Sequence, residues 1–331
     1  MERENKNVKL NFLKCFACIG VVFIHIMFPG MFGNIVSKIS QYAVPVFFMI
    51  AGYYAYGKGQ DVIKRRLLKI IKIFIYAYVL FFCYQIASVV KNHELISWFG
   101  QHFNWKTPIK YICFCTIDFA IPLWYLIAMI ETYIVWLIVV RKGKEQFILK
   151  LLPILFVMQI ILVSYCETMR LDWFLHINFI TRAMPWFLLG YYLHTNKWEK
   201  LRNIRTYQLV VMIIVGCMIA LAPTVFKLSF RFSIIGYIPY AFGLFMLALK
   251  NPTKSICKPL EFIGEKLSLN IYIFHVLMDK VMGTVLEHIF KVDIGTSLFL
   301  WCRPVIVLLC SIVASWIVYI FLNVINEKKV R

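Results

Sequence analysis

The sequence predicts an all-α fold: a polytopic membrane helix bundle of about ten transmembrane helices, with both termini in the cytoplasm. Three observations predict it. Of the 331 residues, 61% are apolar, and mean hydropathy is +0.75. A soluble domain holds about 45–50% apolar residues. The apolar residues also fall into runs near the ~20 residues that a helix needs to cross hydrocarbon. The third observation is charge placement. With the N-terminus inside, 24 of the 36 Lys and Arg residues fall in segments assigned to the cytoplasm and 8 in segments assigned to the outside. Cytoplasmic loops carry such an excess.

Taken in order, the predicted spans are 10–29, 40–57, 69–90, 122–140, 147–165, 176–194, 207–226, 232–249, 267–286 and 298–325. The first runs from Leu10 to Phe28 and is interrupted by Lys14 and His25. No A-x-A cleavage site follows it, so it reads as a retained helix and not a signal peptide. The second carries VPVFFMIAGYY. A basic run that includes Lys64, Arg65 and Arg66 leads into the third. The fourth holds Glu131 and has the least defined start, because Tyr111 to Ile121 is also apolar and reads either as re-entrant or as a separate short helix. Basic loops bracket the fifth and sixth, and Arg182 lies in the outer half of the sixth. The seventh and eighth are joined by a short segment holding Lys227 and Arg231. The ninth carries Ser268, Tyr272, His275, Asp279 and Lys280, and the tenth carries Arg303. Too little sequence lies outside the spans for a second, soluble domain, so residues 1–331 are expected to form a single transmembrane domain.

Composition excludes several classes. A net charge of +20 suits nucleic acid in principle, but the basic residues sit in short loops between apolar runs, which leaves the lipid bilayer as the partner and no nucleic acid. The ten cysteines fall mostly within those runs. Cys15 and Cys18 form a CxxC without a second pair, which reads as helix packing, and no metal site is expected. No GxSxG, Walker A, GxGxxG or HExxH pattern occurs.

Ionisable residues at membrane depth point to function by default. Lys14 and His25 are eleven residues apart, about 1100° of helix, so they share one face across about 16 Å of rise. Asn11, Cys18 and Val21 fall near the same line, a stripe suited to a bundle interior. His275 and Asp279, four apart, can also share a face. Each has a plainer reading. A membrane histidine can be a satisfied interhelical hydrogen-bonder, and Arg182 and Arg303 can snorkel to the outer interface. Arg65 and Arg66 can serve orientation alone, and Trp98, Phe99, Phe103 and Trp105 can form an interface belt. The residues by themselves leave an enzyme, a transporter and a channel open.

At these same residues the chain resembles the membrane acyltransferase 3 family. The first helix reads Asn11-Phe-Leu-Lys14-Cys-Phe-Ala17 and continues to Val22 and His25, similar to that family's D-x-x-R-x-x-A-x-x-x-V-x-x-x-H. VPVFFMIAGYY (Val44 to Tyr54), KRRLLKI (Lys64 to Ile70), LWYL (Leu123 to Leu126), TRAMPWFLLGYYL (Thr181 to Leu193) and FIGEKLSLNIYIFH (Phe262 to His275) resemble its further blocks, in the same order. Two positions depart from the pattern. Lys14 stands where the family carries arginine, and Asn11 where it carries aspartate. Lysine keeps the charge and loses the bidentate fork.

The resemblance implies an acyltransferase of the bacterial cytoplasmic (inner) membrane. It would move an acyl group, commonly acetyl in the family, from cytoplasmic acyl-CoA to a hydroxyl of an extracytoplasmic or lipid-linked glycan. His25 is then the general base or a transient acyl carrier, Arg182 the oxyanion partner, and His275 with Asp279 a reserve base. Lys14, Arg65 and Arg66 would hold the donor's phosphates or the pantetheine arm. The 16 Å between Lys14 and His25, about eleven helical rises, is comparable to an extended pantetheine. Two other classes accompany this reading. One is a transporter of a small polar substrate such as an amino acid, as proposed where such domains are fused to serine racemases. The other is an inactive partner of a glycan export machine.

Overall fold

A computed structural model describes residues 7–91, 93–195, 203–288, 291 and 295–330, without the side chains of 173, 288 and 326–330. Arg3, Lys6, Lys197, Lys200, Arg202, Lys328, Lys329 and Arg331, which enter the charge balance, lie outside the described residues or side chains. Among the described residues every regular element is a helix. Seven helical segments among the described residues are long and apolar enough to cross a membrane: Val8–His25, Gly30–Tyr53, Gln60–Lys91, Ile121–Arg141, Thr206–Val225, Lys258–Glu287 and Ser297–Ile325. Leu152–Thr168 and Ser233–Leu249 are apolar but shorter. The protein is therefore a polytopic helical membrane protein.

Each of the ten predicted spans contains a helix, and the differences have local causes. Helix α1 is Val8–His25, started by Asn7, whose side chain accepts the Leu10 N–H at 3.0 Å. The second span begins earlier than expected and is broken into α2 (Gly30–Ser40) and α3 (Ala43–Tyr53). Pro45 has no N–H to give the carbonyl of Gln41, and its ring crowds that carbonyl. Helix α4 is Gln60–Lys91. Two short helices follow, α5 (Leu95–His102) and α6 (Thr107–Phe114), and the apolar stretch Tyr111 to Ile121 holds the end of α6 and then non-helical chain. Cys115, in the left-handed conformation, ends α6 before α7 (Trp124–Arg141) begins. Then come α8 (Glu145–Leu149) and α9 (Leu152–Thr168).

The sixth span is shorter than predicted. Asn178 accepts the Thr181 N–H at 2.9 Å and opens a π turn, Phe179–Ala183, ahead of α10 (Met184–His194). Pro185 near the start of α10 cannot donate to the preceding turn, and the wider turn accommodates it. The remaining elements are α11 (Thr206–Val225), α12 (Ser233–Leu249), α13 (Lys258–Phe262), a second π turn (Ile263–Leu267), α14 (Ser268–His288) and α15 (Ser297–Val330).

The chain divides into two compact units, residues Met1–Phe47 with Arg202–Arg331, and residues Phe48–Leu201. In the first unit α1 packs against α2, the second π turn and α14, while α11 lies along α12 and α14 along α15. Its core joins Cys18, Val22 and Ile26 of α1 to Leu267, Ile271 and Val307. Gly264 sets how closely α1 approaches the π turn. A Cβ there would land on the carbonyl of Asn11, and the Cys15 amide nitrogen would be 2.8 Å from it. Small residues at such crossings let membrane helices pack backbone to backbone. In the second unit α4 packs on α7, and Trp136 meets Phe187 and Tyr191 with ring centroids 5.3 and 4.6 Å apart. Gly52 of α3 and Gly190 of α10 touch across their backbones, each facing a carbonyl of the other helix.

Candidate active site

The first unit brings two histidines together. His25 is the last residue of α1 and is half-buried. His275 lies on the second turn of α14 and is 0% exposed. These two histidines, 250 positions apart in the chain, have ring centroids 5.1 Å apart at an interplanar angle of 48°. Core side chains of α1 and α14, Val22, Ile26 and Ile271, are buried in the same cluster, so the contact sits in apolar surroundings. His275 Nδ1 is 2.7 Å from the carbonyl oxygen of Tyr272. A carbonyl only accepts, so this nitrogen carries the proton and donates.

Asp279 lies one turn beyond His275, but its carboxylate faces another helix. Arg303 of α15 donates to both oxygens, Nε to Oδ1 and NH2 to Oδ2, each at 2.7 Å. The planar fork matches a carboxylate in this way. Asp279 thus ties α14 to α15 instead of orienting His275. Arg303 was legible in the sequence only as a basic residue in the tenth span. Its partnership joins two helices and leaves no spacing signal.

At the other end of α1, Lys14 projects from the stripe that holds Asn11 and Cys18, both buried. Asn11 Nδ2 donates to Glu265 Oε2 at 3.4 Å, and Lys266 Nζ pairs with Glu265 at 2.9 Å. Glu265 therefore brings a carboxylate next to Asn11. Sequence reading missed it, because the residue belongs to the π turn and not to α1.

The remaining candidates belong to the second unit. Arg66 donates from NH1 to the carbonyl oxygen of Tyr54 at 2.7 Å and closes the turn between α3 and α4. Arg65 is exposed and donates from Nε to the Asp61 carbonyl oxygen at 3.4 Å. Arg182 is half-buried on the first π turn, which packs against α7. Glu131 of α7 accepts the thiol of Cys115 at 3.1 Å. Burial, and then the Glu131 carboxylate, push the Cys115 thiol far above its ordinary range. Both effects favour the protonated thiol, which is the weaker nucleophile. His194 is sandwiched between Tyr53 and Tyr56, with centroids 4.1 and 5.0 Å away. Among the loop aromatics, Trp98 is buried and stacks on His102, and Phe99 and Phe103 pack against it, whereas Trp105 is 75% exposed.

A half-buried histidine beside a fully buried one, in apolar surroundings, suits proton transfer to and from a hydroxyl. A comparison with protein families adds the reaction class. The sequence profile described as an acyltransferase domain, of the acyltransferase 3 family, matches residues 7–320. Comparison with curated proteins and with solved structures returns no match. The matched segment takes in both histidines, the two π turns and nearly the whole of both units, and the chain belongs to the acyltransferase 3 family as a multi-pass membrane acyltransferase acting on groups other than aminoacyl groups.

Proposed function

We propose that the protein transfers an acetyl group from cytoplasmic acetyl-CoA to a hydroxyl of an extracytoplasmic or lipid-linked glycan, in a bacterial inner membrane. The observation that carries the chemistry is the contact of His25 with His275 at 5.1 Å. His25 takes the proton of the acceptor hydroxyl, and the oxygen attacks the thioester carbonyl. The C–O bond forms and the C–S bond breaks. The leaving thiolate recovers the proton from His25, so the products are the ester and CoA, with no net change of charge on the protein. Arg65 and Arg66 are the cations of the second unit assigned to the donor. Of the two arginines Arg65 is the one whose side chain faces solvent, since Arg66 closes the α3–α4 turn.

The test uses purified protein in liposomes, acetyl-CoA labelled in the acetyl group, and a glycolipid extract of bacterial envelopes. Label is expected in the glycan fraction and to be released as acetate by mild alkali, as an ester requires. Label that crosses the vesicle membrane without entering the extract would instead indicate transport.

The proposed orientation places both termini and Lys58 to Lys69 in the cytoplasm and the loop of about Val90 to Ile121 outside. On a background freed of the ten native cysteines, a cysteine at position 105 is expected to react with a membrane-impermeant maleimide added to intact cells. A cysteine at position 64 is expected to react only after the membrane is opened. Outside labelling at 64 would reverse the orientation.

A further inference from the structure

His275 is 0% exposed, yet its Nε2 meets no hydrogen-bond partner among the described residues. The state of this nitrogen follows from the other one. Nδ1 lies 2.7 Å from the Tyr272 carbonyl oxygen and 3.3 Å from that of Ile271. Both are acceptors, so Nδ1 holds the ring's proton and Nε2 is left with a bare lone pair. A buried acceptor without a donor costs free energy, and one in a native fold asks for an explanation.

The explanation lies in the adjacent ring. Two imidazoles joined nitrogen to nitrogen by an ordinary ~2.9 Å hydrogen bond have centroids roughly 5 Å apart. The His25 and His275 centroids are 5.1 Å apart. The terminal torsion of a histidine is soft, so the orientation of the His25 ring can adjust while the helices stay in place. Only His25 has exposed surface with which to meet a substrate. We propose that His275 is a positioning residue whose Nε2 accepts the N–H of His25. This holds His25 in the tautomer that turns its other nitrogen, as base, toward the acceptor hydroxyl. The inference rests on the acyl-transfer reading above and assigns its two histidines different tasks. His25 touches the reacting atoms. His275 acts through His25, and its lone pair also stabilises the imidazolium N–H that forms when His25 takes the proton.

Two variants separate this role from packing. His275→Leu fills the space with an apolar side chain, and His275→Gln offers an amide oxygen as acceptor near the place of Nε2. In liposomes with labelled acetyl-CoA and envelope glycolipid extract, His275→Leu is expected to lower kcat about 10²-fold, at the lower end of what a positioned base contributes. KM for acetyl-CoA is expected to stay unchanged, and His275→Gln to recover most of the loss. A second readout needs no acceptor. In protein labelled with ¹⁵N-histidine, His25 is expected to show one dominant neutral tautomer in the wild type and in His275→Gln, and a mixture in His275→Leu. Wild-type kcat in His275→Leu, or an equal loss in both variants with the His25 tautomer unchanged, would overturn the positioning role. His25→Ala serves as the control. If that variant stays active, the acyl-transfer role of His25 itself is wrong. If it is inactive while His275→Leu is fully active, only the role of His275 falls.

Discussion

Replacing His25 by alanine is expected to abolish measurable acyl transfer while the protein still inserts and folds. A positioned general base contributes about 10²–10⁴ in rate. His25 ends α1, so shortening it removes no residue from the helix interior and leaves the Ile26 N–H to Val22 carbonyl bond at 2.8 Å in place. The donor's nucleotide is assigned to the other end of the same helix, so acetyl-CoA binding is expected to persist. The measurement is initial transfer rate and donor binding at matched amounts of reconstituted protein. Near-wild-type transfer by His25→Ala would remove the general-base mechanism. Loss of transfer together with loss of the folded protein would show that the ring is needed for the bundle instead.

The second large effect is structural. Gly264→Ala is expected to destabilise the first unit by about 3 kcal/mol or more, at or beyond the upper end of ordinary overpacking. The added Cβ would land on the Asn11 carbonyl of α1, which is backbone and cannot turn away. Relief requires α1 and the π turn to separate, and that shift travels along both helices toward His25 and His275. Acyl transfer is therefore expected to fall along with stability. Gly283→Ala is the matched control. It lies on α14, the helix that follows the π turn, and a Cβ there meets nothing within 4 Å. Alanine at that position is expected to be neutral or to stabilise by up to about 1 kcal/mol through helix propensity. Unfolding in mixed micelles, followed by accessibility of the buried Cys15 and Cys18 thiols, compares the two variants. Equal stability of Gly264→Ala and Gly283→Ala would show that α1 and the π turn do not pack this closely.

Much of the fold is legible in local sequence because its causes are local. Hydrocarbon demands apolar runs of a certain length, and those runs stand out in the sequence from Leu10 to the end of the tenth span. Lys14 and His25 fall on one face because eleven residues make three turns, whatever else surrounds the helix. The family blocks, read in order, pointed to an acyltransferase, and the match over residues 7–320 shows that family. Local chemistry also explains where spans deviate. Pro45 breaks the second, and Asn178 with Pro185 widens the start of the sixth.

What the sequence by itself determined, then, is the helical membrane character, the family, and which polar residues lie at membrane depth. Only the tertiary structure decided how those residues pair. His275 and Asp279 are four apart and were expected to work together. In the fold Asp279 turns to Arg303 and His275 meets His25. Glu265 comes to Asn11 across a similar gap in the chain. The physical reason is that helix periodicity defines directions around one axis only. Which neighbour occupies that direction depends on how closely and at what height two helices cross, and here a backbone contact at Gly264 sets that for α1 and the segment leading to His275. A single side chain's absence, 239 residues downstream of His25, carries no periodic signal that could announce it.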